Sequence, residues 1–106
     1  EMSIWDWEIY RDNKLVALGE YRRRFCNSDR YPNFAFGLKK FNILKGEGEK
    51  RGVPVFMFVE YDDQFLYLKI EGEPETMTMR RTHELRNEKV ACFPLELLKQ
   101  VHTLNV

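Results

Sequence analysis

The sequence has few of the residues on which common enzyme sites depend. Of its 106 residues, two are cysteine and two are histidine, and their positions do not show the spacing of a zinc site or a disulfide framework. A glycine-rich phosphate loop and a serine or cysteine nucleophile motif are also absent. We interpret Cys26 and Cys92 as reduced structural thiols. Chemistry based on zinc, a phosphate loop or a catalytic triad is therefore not expected.

Long apolar runs are missing as well. No stretch approaches the roughly 20 apolar residues that a membrane-spanning helix needs, and no charged and apolar leader opens the chain. The length fits a single domain over residues 1–106, and 43% hydrophobic residues are enough for a modest core. We therefore expect an intracellular, cytoplasmic protein with no membrane partner.

The formal net charge is zero, but the charges are unevenly distributed. Residues 11–51 contain eleven lysines and arginines against five acids, whereas residues 1–10 and 52–106 each carry an excess of three acids. A neutral chain is not typical of a general nucleic-acid binder. The basic middle segment nevertheless raises the expectation of a nucleic-acid partner above the level that the net charge alone suggests.

Alternation and turn residues divide the first half of the chain into a hairpin and a helix. Residues 3–10 and 15–25 are predicted as two strands, joined by the turn segment RDNK. Asn33 is the expected N-cap of an amphipathic helix over residues 34–45. The apolar residues of this helix recur at helical spacing: Phe34, Leu38, Phe41 and Leu44. The glycine-rich segment 46–52 is expected to end it.

The second half is predicted to extend the sheet. Residues 53–61 are nearly all apolar, as in a strand covered on both faces, and residues 64–70 alternate. Residues 76–82 are expected to form an edge strand. Residues 90–101 are expected to be a short strand running into a helix, with Pro94 near its first turn. The order β-β-α-β-β, followed by a less regular end, indicates an α/β fold with a mixed sheet.

The segment GEYRRR, at residues 19–24, places several charges in the second strand of the hairpin. Glu20 and Arg22 are two residues apart, so on a strand they point to the same side. Asp6 lies on the partner strand, and two carboxylates on adjacent strands can hold a hard divalent cation such as Mg²⁺. The alternative interpretation is a weak cross-strand ion pair with Arg22 or Arg24 on a solvated surface.

The order of these segments resembles the PD-(D/E)XK nuclease superfamily, which has the restriction-endonuclease-like fold, and in particular its small phage-type members. The likeness runs through most of the chain: DWEI, GEYRRR, YPNFAFGLKKFNIL, GVPVFMFVEYDDQFLYLKI and VACFPLELLKQV follow the family's order of elements. It implies a helix packed behind a catalytic hairpin and two further strands that extend the sheet. By this resemblance Asp6 and Glu20 would be ligands of Mg²⁺ or Mn²⁺, with the carbonyl of Tyr21 as a backbone ligand.

The sequence departs from the family's pattern in two respects. Arg22 stands at the position of the motif lysine, and an arginine keeps the charge but cannot act as a neutral base at ordinary pH. Family members are known to carry this lysine on the following helix, which makes Lys40, rather than Lys39, the expected replacement. Family members also have a helix and a strand before the motif aspartate, whereas five residues precede Asp6. Either an upstream segment is absent from this sequence or the protein is a trimmed descendant.

The resemblance leads to two hypotheses of different classes. The first is a Mg²⁺-dependent phage DNA nuclease that hydrolyses phosphodiesters with an activated water. Asp6 and Glu20 would be metal ligands, and Arg22 and Lys40 would act on the phosphate or the water. The second is a catalytically silent nuclease-fold module, such as a phage-encoded regulator or inhibitor, that binds DNA or another protein. A nuclease needs Lys40 or an equivalent at the metal site, whereas a binding module does not.

The short N-terminal segment also bears on assembly. In a nuclease-type sheet the preceding helix covers one face, so Ile4, Tyr10 and part of the strand at 53–61 are expected to lack a cover. We therefore predict a two-fold homodimer, the commonest closed symmetry. A C-terminal helix at residues 94–102 that folds back over the same face would instead leave a monomer.

Overall fold

The computed structural model describes residues 5–81 and 86–104. Within these ranges the chain forms eight strands and one α-helix. The strands are β1 (Trp7–Arg11), β2 (Lys14–Arg23), β3 (Asn33–Gly37), β4 (Val55–Glu60), β5 (Phe65–Lys69), β6 (Glu75–Arg81), β7 (Arg86–Pro94) and β8 (Lys99–Gln100). The helix α1 spans Leu38–Arg51, and short 3-10 turns lie at Leu95–Leu97 and Val101–Thr103.

The predicted hairpin is formed by β1 and β2. Arg11 pairs with Lys14, which leaves Asp12 and Asn13 as a two-residue turn. Both turn residues have positive φ, 51° and 62°, as in a type I′ turn, whose twist matches that of the paired strands. This turn, together with a register shift between Ile9 and Tyr10, brings β1 alongside the Glu20 segment. Residues 3 and 4 of the predicted first strand lie outside the described residues.

The strands are arranged in two sheets. The larger has five strands in the order β1-β2-β4-β5-β8. Its β2 and β4 are parallel, with Glu20 opposite Met57, and its other neighbouring strands are antiparallel. The prediction of a mixed sheet is therefore confirmed. The smaller sheet has the order β3-β7-β6, so β6 is an edge strand, as expected for this segment, although residue 82 lies outside the described residues.

The helix begins later than the sequence pattern predicts. It starts at Leu38, so the prediction of a helix from residue 34 with Asn33 as its N-cap is wrong. Residues 33–37 form β3 instead, with Phe34 and Phe36 buried and paired with β7. Alternate burial of these two rings fits a strand, and the pairing with β7 overrides the helical spacing of Phe34.

The glycine-rich segment belongs to the helix, contrary to the prediction that it ends the helix. α1 continues through Gly46 and Gly48 to Arg51, and Gly52, with φ 68°, caps its C-terminus in the left-handed conformation. Gly48 is buried where the helix packs on β4. Among the residues that the structure describes, no helix is both long enough and apolar enough to cross a membrane.

The C-terminal segment also differs from the prediction, because no α-helix follows β7 within the described residues. Pro94 still pairs with Asn33 at the end of the strand. The Leu95 N–H then donates to the Pro32 carbonyl, and the Leu98 N–H donates to the Leu95 carbonyl, each at 3.0 Å. The first bond ties the segment to the residue before β3, and the second closes a 3-10 turn, after which β8 pairs with β5.

Two apolar clusters cover the two faces of the five-stranded sheet. The main core lies between this sheet and a layer made of α1 and the three-stranded sheet. Its fully buried members include Leu18, Phe41, Leu44, Met57, Val59 and Ala91. We call this face the helix side. The opposite face, the outer side, carries Ala17, Phe56 and Phe58, against which the partly buried Ile9, Tyr21, Tyr67, Val101 and Leu104 pack.

Candidate active site

Glu20 is an acidic side chain that β2 directs into the helix side. Leu18 belongs to the main core and Tyr21 to the outer cluster, so Glu20, two residues after Leu18, shares the side of Leu18. Only 3% of Glu20 is exposed. This burial excludes a solvated surface position, and a buried carboxylate is costly unless cations or hydrogen-bond donors surround it.

Two cationic side chains contact the same oxygen of Glu20. Arg22 Nη1 donates to Oε2 at 2.7 Å, and Lys40 Nζ lies 3.3 Å from that atom. The other oxygen, Oε1, is buried and accepts no hydrogen bond from the residues that the structure describes. The two oxygens of this carboxylate therefore differ: Oε2 contacts two cations, whereas Oε1 is an acceptor without a donor among the described residues.

The guanidinium of Arg22 also binds the backbone. Its Nη1 atom donates to the carbonyl oxygen of Tyr21 at 3.0 Å, so a single nitrogen bridges this carbonyl and the carboxylate of Glu20. These two groups are among the three that the resemblance assigns to a metal ion. The Arg22 side chain is 31% exposed, and its guanidinium therefore lies between the buried carboxylate and solvent.

Asp6 lies directly before β1 and is held against β2 by two hydrogen bonds. Its N–H donates to the Gly19 carbonyl at 3.0 Å, and its Oδ2 accepts from the Tyr21 N–H at 2.9 Å. The Asp6 side chain is exposed. The register of the hairpin therefore holds the Asp6 carboxylate beside the peptide group that joins Glu20 to Tyr21, through the hydrogen bond from the Tyr21 N–H.

The first turn of α1 distinguishes the two lysines at its start. Lys40 is half-buried, and its Nζ reaches Glu20, whereas Lys39 is exposed. Lys39 lines a different surface hollow together with Asn42 and Glu88. Consecutive residues of a helix point about 100° apart, so only one of two adjacent lysines can face β2. The structure thus brings Glu20, Arg22, Tyr21, Asp6 and Lys40 together and leaves Lys39 aside.

Arg24 is a further basic residue that the sequence suggested only as an alternative ion-pair partner. It follows Arg22 by two residues, and its Nη2 donates to the Ala35 carbonyl at 3.0 Å. Its guanidinium also lies 5.0 Å from the centre of the Phe34 ring. Burial lowers the pKa of Arg24 below its usual value, and the charge of Arg22 adds to this effect. The alternation that links Glu20 with Arg22 would also have identified Arg24.

The donor groups present suit a hard divalent cation. Asp6, Glu20 and the Tyr21 carbonyl offer only oxygen, and Mg²⁺ is usually bound by one or two carboxylates while it keeps several waters. The unused acceptor at Glu20 Oε1 fits the same role. Residues 5–81 and 86–104 contain no group of three or more His, Cys, Asp or Glu side chains that could hold a metal. A metal here would therefore depend on two carboxylates and one carbonyl.

The fold indicates the class of protein. A mixed sheet with one helix packed against it is compatible with the restriction-endonuclease-like fold, and Arg22 follows the acid Glu20 by two positions on β2, as the resemblance implies. The model of a family described as "phage putative PDDEXK endonuclease" matches residues 2–102. The chain therefore belongs to this family. No curated protein and no solved structure matches it.

Proposed function

We propose that the chain is a divalent-metal-dependent nuclease that hydrolyses phosphodiester bonds in DNA. The observation that carries this proposal is the environment of Glu20, which contacts Arg22 and Lys40 through one buried oxygen. Its other oxygen has no donor from the described residues. Buried polar groups with purely structural roles are normally hydrogen-bonded, so an unused acceptor favours a ligand-binding role. Membership in a family of phage endonucleases supports the same function.

Asp6, Glu20 and the carbonyl of Tyr21 would hold Mg²⁺ or Mn²⁺. Such a cation, when bound, would stabilise charge on the phosphate and lower the pKa of a water molecule. The Tyr21 N–H orients Asp6 through its Oδ2 atom. The hairpin therefore orients the exposed Asp6. Lys40 on α1 and Arg22 on β2 offset the charge of the buried Glu20.

Arg22 and Lys40 would act on the substrate. The planar guanidinium of Arg22 can bind two phosphate oxygens at once. Lys40 is a compact charge on a flexible stem, which suits the orientation of an attacking water or a phosphate oxygen. Arg24, directly after the end of β2, adds positive charge, and its bond to the Ala35 carbonyl holds it in place.

One observation favours a second candidate function. Arg22 Nη1 already contacts Glu20 Oε2 and the Tyr21 carbonyl, so a guanidinium supplies positive charge where a metal ion would supply it in a nuclease. A protein that keeps this arrangement permanently would be a catalytically silent nuclease-fold module. It would bind DNA or a protein partner as a phage-encoded regulator or inhibitor.

DNA as the substrate would place the activity in the cytoplasm of a phage-infected cell. We include a two-fold homodimer in the proposal, because two symmetric sites can face the two strands of a duplex.

A cleavage assay tests the proposed function. Supercoiled, linear and branched DNA would be incubated with the protein in Mg²⁺, in Mn²⁺ and in excess chelator. Asp6→Asn and Glu20→Gln should each lower the cleavage rate about 100-fold or more, the scale on which preorganised charge-stabilising groups act. Both variants keep the shape of the replaced side chain, and thermal unfolding would verify their fold.

The matched control is Glu49→Gln, an exposed acid on the helix that carries Lys40. Residue 49 is about 13 Å from residue 40 along the helix axis, so this variant should cleave like the wild type. A wild-type protein that cuts none of the substrates with either metal would contradict the enzyme proposal and favour the silent module.

A further inference from the structure

We propose that Arg22 is a built-in competitor of the divalent metal. Its guanidinium has to leave Glu20 and the Tyr21 carbonyl before those two groups can coordinate a metal ion together. This inference rests on the proposed function, since it concerns the same site. It assigns Arg22 a role in setting metal affinity in addition to contacts with the substrate phosphate.

The competition follows from the position of one atom. Arg22 Nη1 lies 2.7 Å from Glu20 Oε2 and 3.0 Å from the Tyr21 carbonyl oxygen. A metal ion bound to both oxygens would need distances of about 2.1 Å to each. The ion and Nη1 would then approach the same two acceptors, and two cations in a poorly solvated place repel each other strongly.

The two oxygens of Glu20 indicate how exchange could begin. Oε1 has no donor among the described residues but is shielded from solvent, so an incoming ion would reach this free acceptor only as the Arg22 side chain begins to move aside. Full coordination that includes the Tyr21 carbonyl then requires the guanidinium to move away. Its side chain is 31% exposed, and solvent is therefore available on the path by which it would leave.

Lys40 does not compete for the carbonyl in the same way. Its Nζ lies 3.3 Å from Glu20 Oε2, a longer separation than that of Arg22, and it comes from α1 rather than from β2. Lys40 can thus keep offsetting the charge of Glu20 after Arg22 has moved. The buried carboxylate of Glu20 would therefore contact a cation throughout the exchange of Arg22 for a metal ion.

Metal binding, measured without DNA, tests this inference. The Mn²⁺ affinities of the wild type, Arg22→Gln, Arg22→Lys and Arg23→Gln would be compared by calorimetry and by the electron paramagnetic resonance signal of free Mn²⁺. Arg22→Gln should bind Mn²⁺ about tenfold more tightly than the wild type, the scale on which groups just outside a metal's ligands change its affinity. Arg23→Gln is the matched control, because it removes the same charge from a neighbour whose guanidinium binds Asp62 instead.

Arg22→Lys keeps a charge beside the buried carboxylate and decides the question if Arg22→Gln does not fold. The ammonium of lysine lies on a flexible stem and is more strongly hydrated than a guanidinium, so it should release the two oxygens more readily, and this variant should also bind Mn²⁺ more tightly than the wild type. In the wild type, titration with Mg²⁺ should shift the side-chain Nε–Hε NMR signal of Arg22 while that of Arg23 stays in place.

The outcomes separate this inference from the proposed function. Equal Mn²⁺ affinities in the wild type and both Arg22 variants would overturn the competition and leave the metal site intact. An equal gain in Arg23→Gln would also overturn it, because the effect would then reflect net charge alone. If none of the proteins binds Mn²⁺, the metal site itself is wrong, and the proposed nuclease function fails with it.

Discussion

Lys39 and Lys40 have the same chemistry and adjacent positions, yet the first turn of α1 gives them different surroundings. Lys40 Nζ contacts the buried Glu20 carboxylate, whereas Lys39 is exposed. In the family, a lysine can move from the hairpin to this helix. The pair therefore provides an internal test of whether such a move has occurred here.

We predict that Lys40→Ala lowers the DNA cleavage rate by about 100-fold, the usual contribution of a positioned acid, base or charge. Lys39→Ala should change the rate less than about threefold, because its side chain does not face Glu20. Single-turnover cleavage at saturating protein would measure the chemical step without a contribution from weakened DNA binding. Small and similar effects of the two substitutions would show that the lysine's role lies elsewhere.

Much of the site was accessible from the sequence because it depends on strand alternation. The interval between Glu20 and Arg22 predicts that they share a side, and the turn segment RDNK predicts the hairpin that brings Asp6 to β2. The bridge from Arg22 to the Tyr21 carbonyl could not be predicted, since it depends on one rotamer and involves a backbone group that every residue has. The unused acceptor on Glu20 could not be predicted either, because it depends on the side-chain orientation of one buried carboxylate.

At the scale of elements, the wrong start of α1 and the wrong C-terminal helix have one physical cause: local periodicity competes with pairing to distant segments. Phe34 fits both a helical and a strand pattern, and the pairing of β3 with β7, nearly sixty residues away in sequence, decides for the strand. The C-terminal segment resembles a helix by composition, but bonds to Pro32 and to β5 give it turns and a short strand. β4 was correctly predicted because a strand buried on both faces is apolar throughout.

The glycines of α1 allow a prediction at the scale of the helix. Gly46 is exposed, and a Cβ atom built on it meets nothing within 4 Å. A Cβ on Gly48 would lie 2.6 Å from Val55 Cγ2 and 2.9 Å from the Val53 carbonyl oxygen. The same substitution should therefore have opposite effects at two positions that lie two residues apart.

Gly46→Ala should raise the free energy of unfolding by about 0.5–1 kcal/mol, because alanine loses less conformational freedom in a helix. Gly48→Ala should lower it by about 1–3 kcal/mol, the usual cost of overpacking a filled interior. Urea denaturation of both variants and the wild type measures the two changes. Equal stabilisation by both would mean that α1 does not pack against β4 as closely as we describe.

At the scale of the whole molecule, the prediction of a monomer or a dimer depends on how much of the outer side of the five-stranded sheet is covered. Part of it is covered by the C-terminal segment, whose Val101 and Leu104 pack against the cluster containing Phe56 and Phe58. The covering residues come from a 3-10 turn and the residue after it, not from the predicted α-helix. Ile4, one of the residues expected to lack a cover, lies outside the described residues.

Aromatic surface nevertheless remains exposed on this side. The rings of Trp7 and Phe58 lie 5.0 Å apart, and those of Phe58 and Phe65 lie 6.2 Å apart. Trp7 is 40% exposed and Phe65 is 37% exposed. Trp7 and Phe65 therefore form two partly exposed rings on either side of the buried Phe58, and exposed aromatic rings beside a buried cluster are typical of an interface between protein chains. We therefore predict that a two-fold dimer would form through Trp7 and Phe65, with β1 and β5 contributing from each copy.

We expect sedimentation velocity at micromolar concentration to show a dimer of the wild type. Trp7→Lys and Phe65→Lys should each shift the population towards monomer, because each introduces a charge that would be buried in the interface without a partner. The control is Ile43→Lys, which changes an apolar residue that is 39% exposed on α1, on the opposite side of the sheet. This variant should remain dimeric. A monomeric wild type would contradict the prediction, and it would mean that Val101 and Leu104 cover enough of the outer side for the chain to remain single.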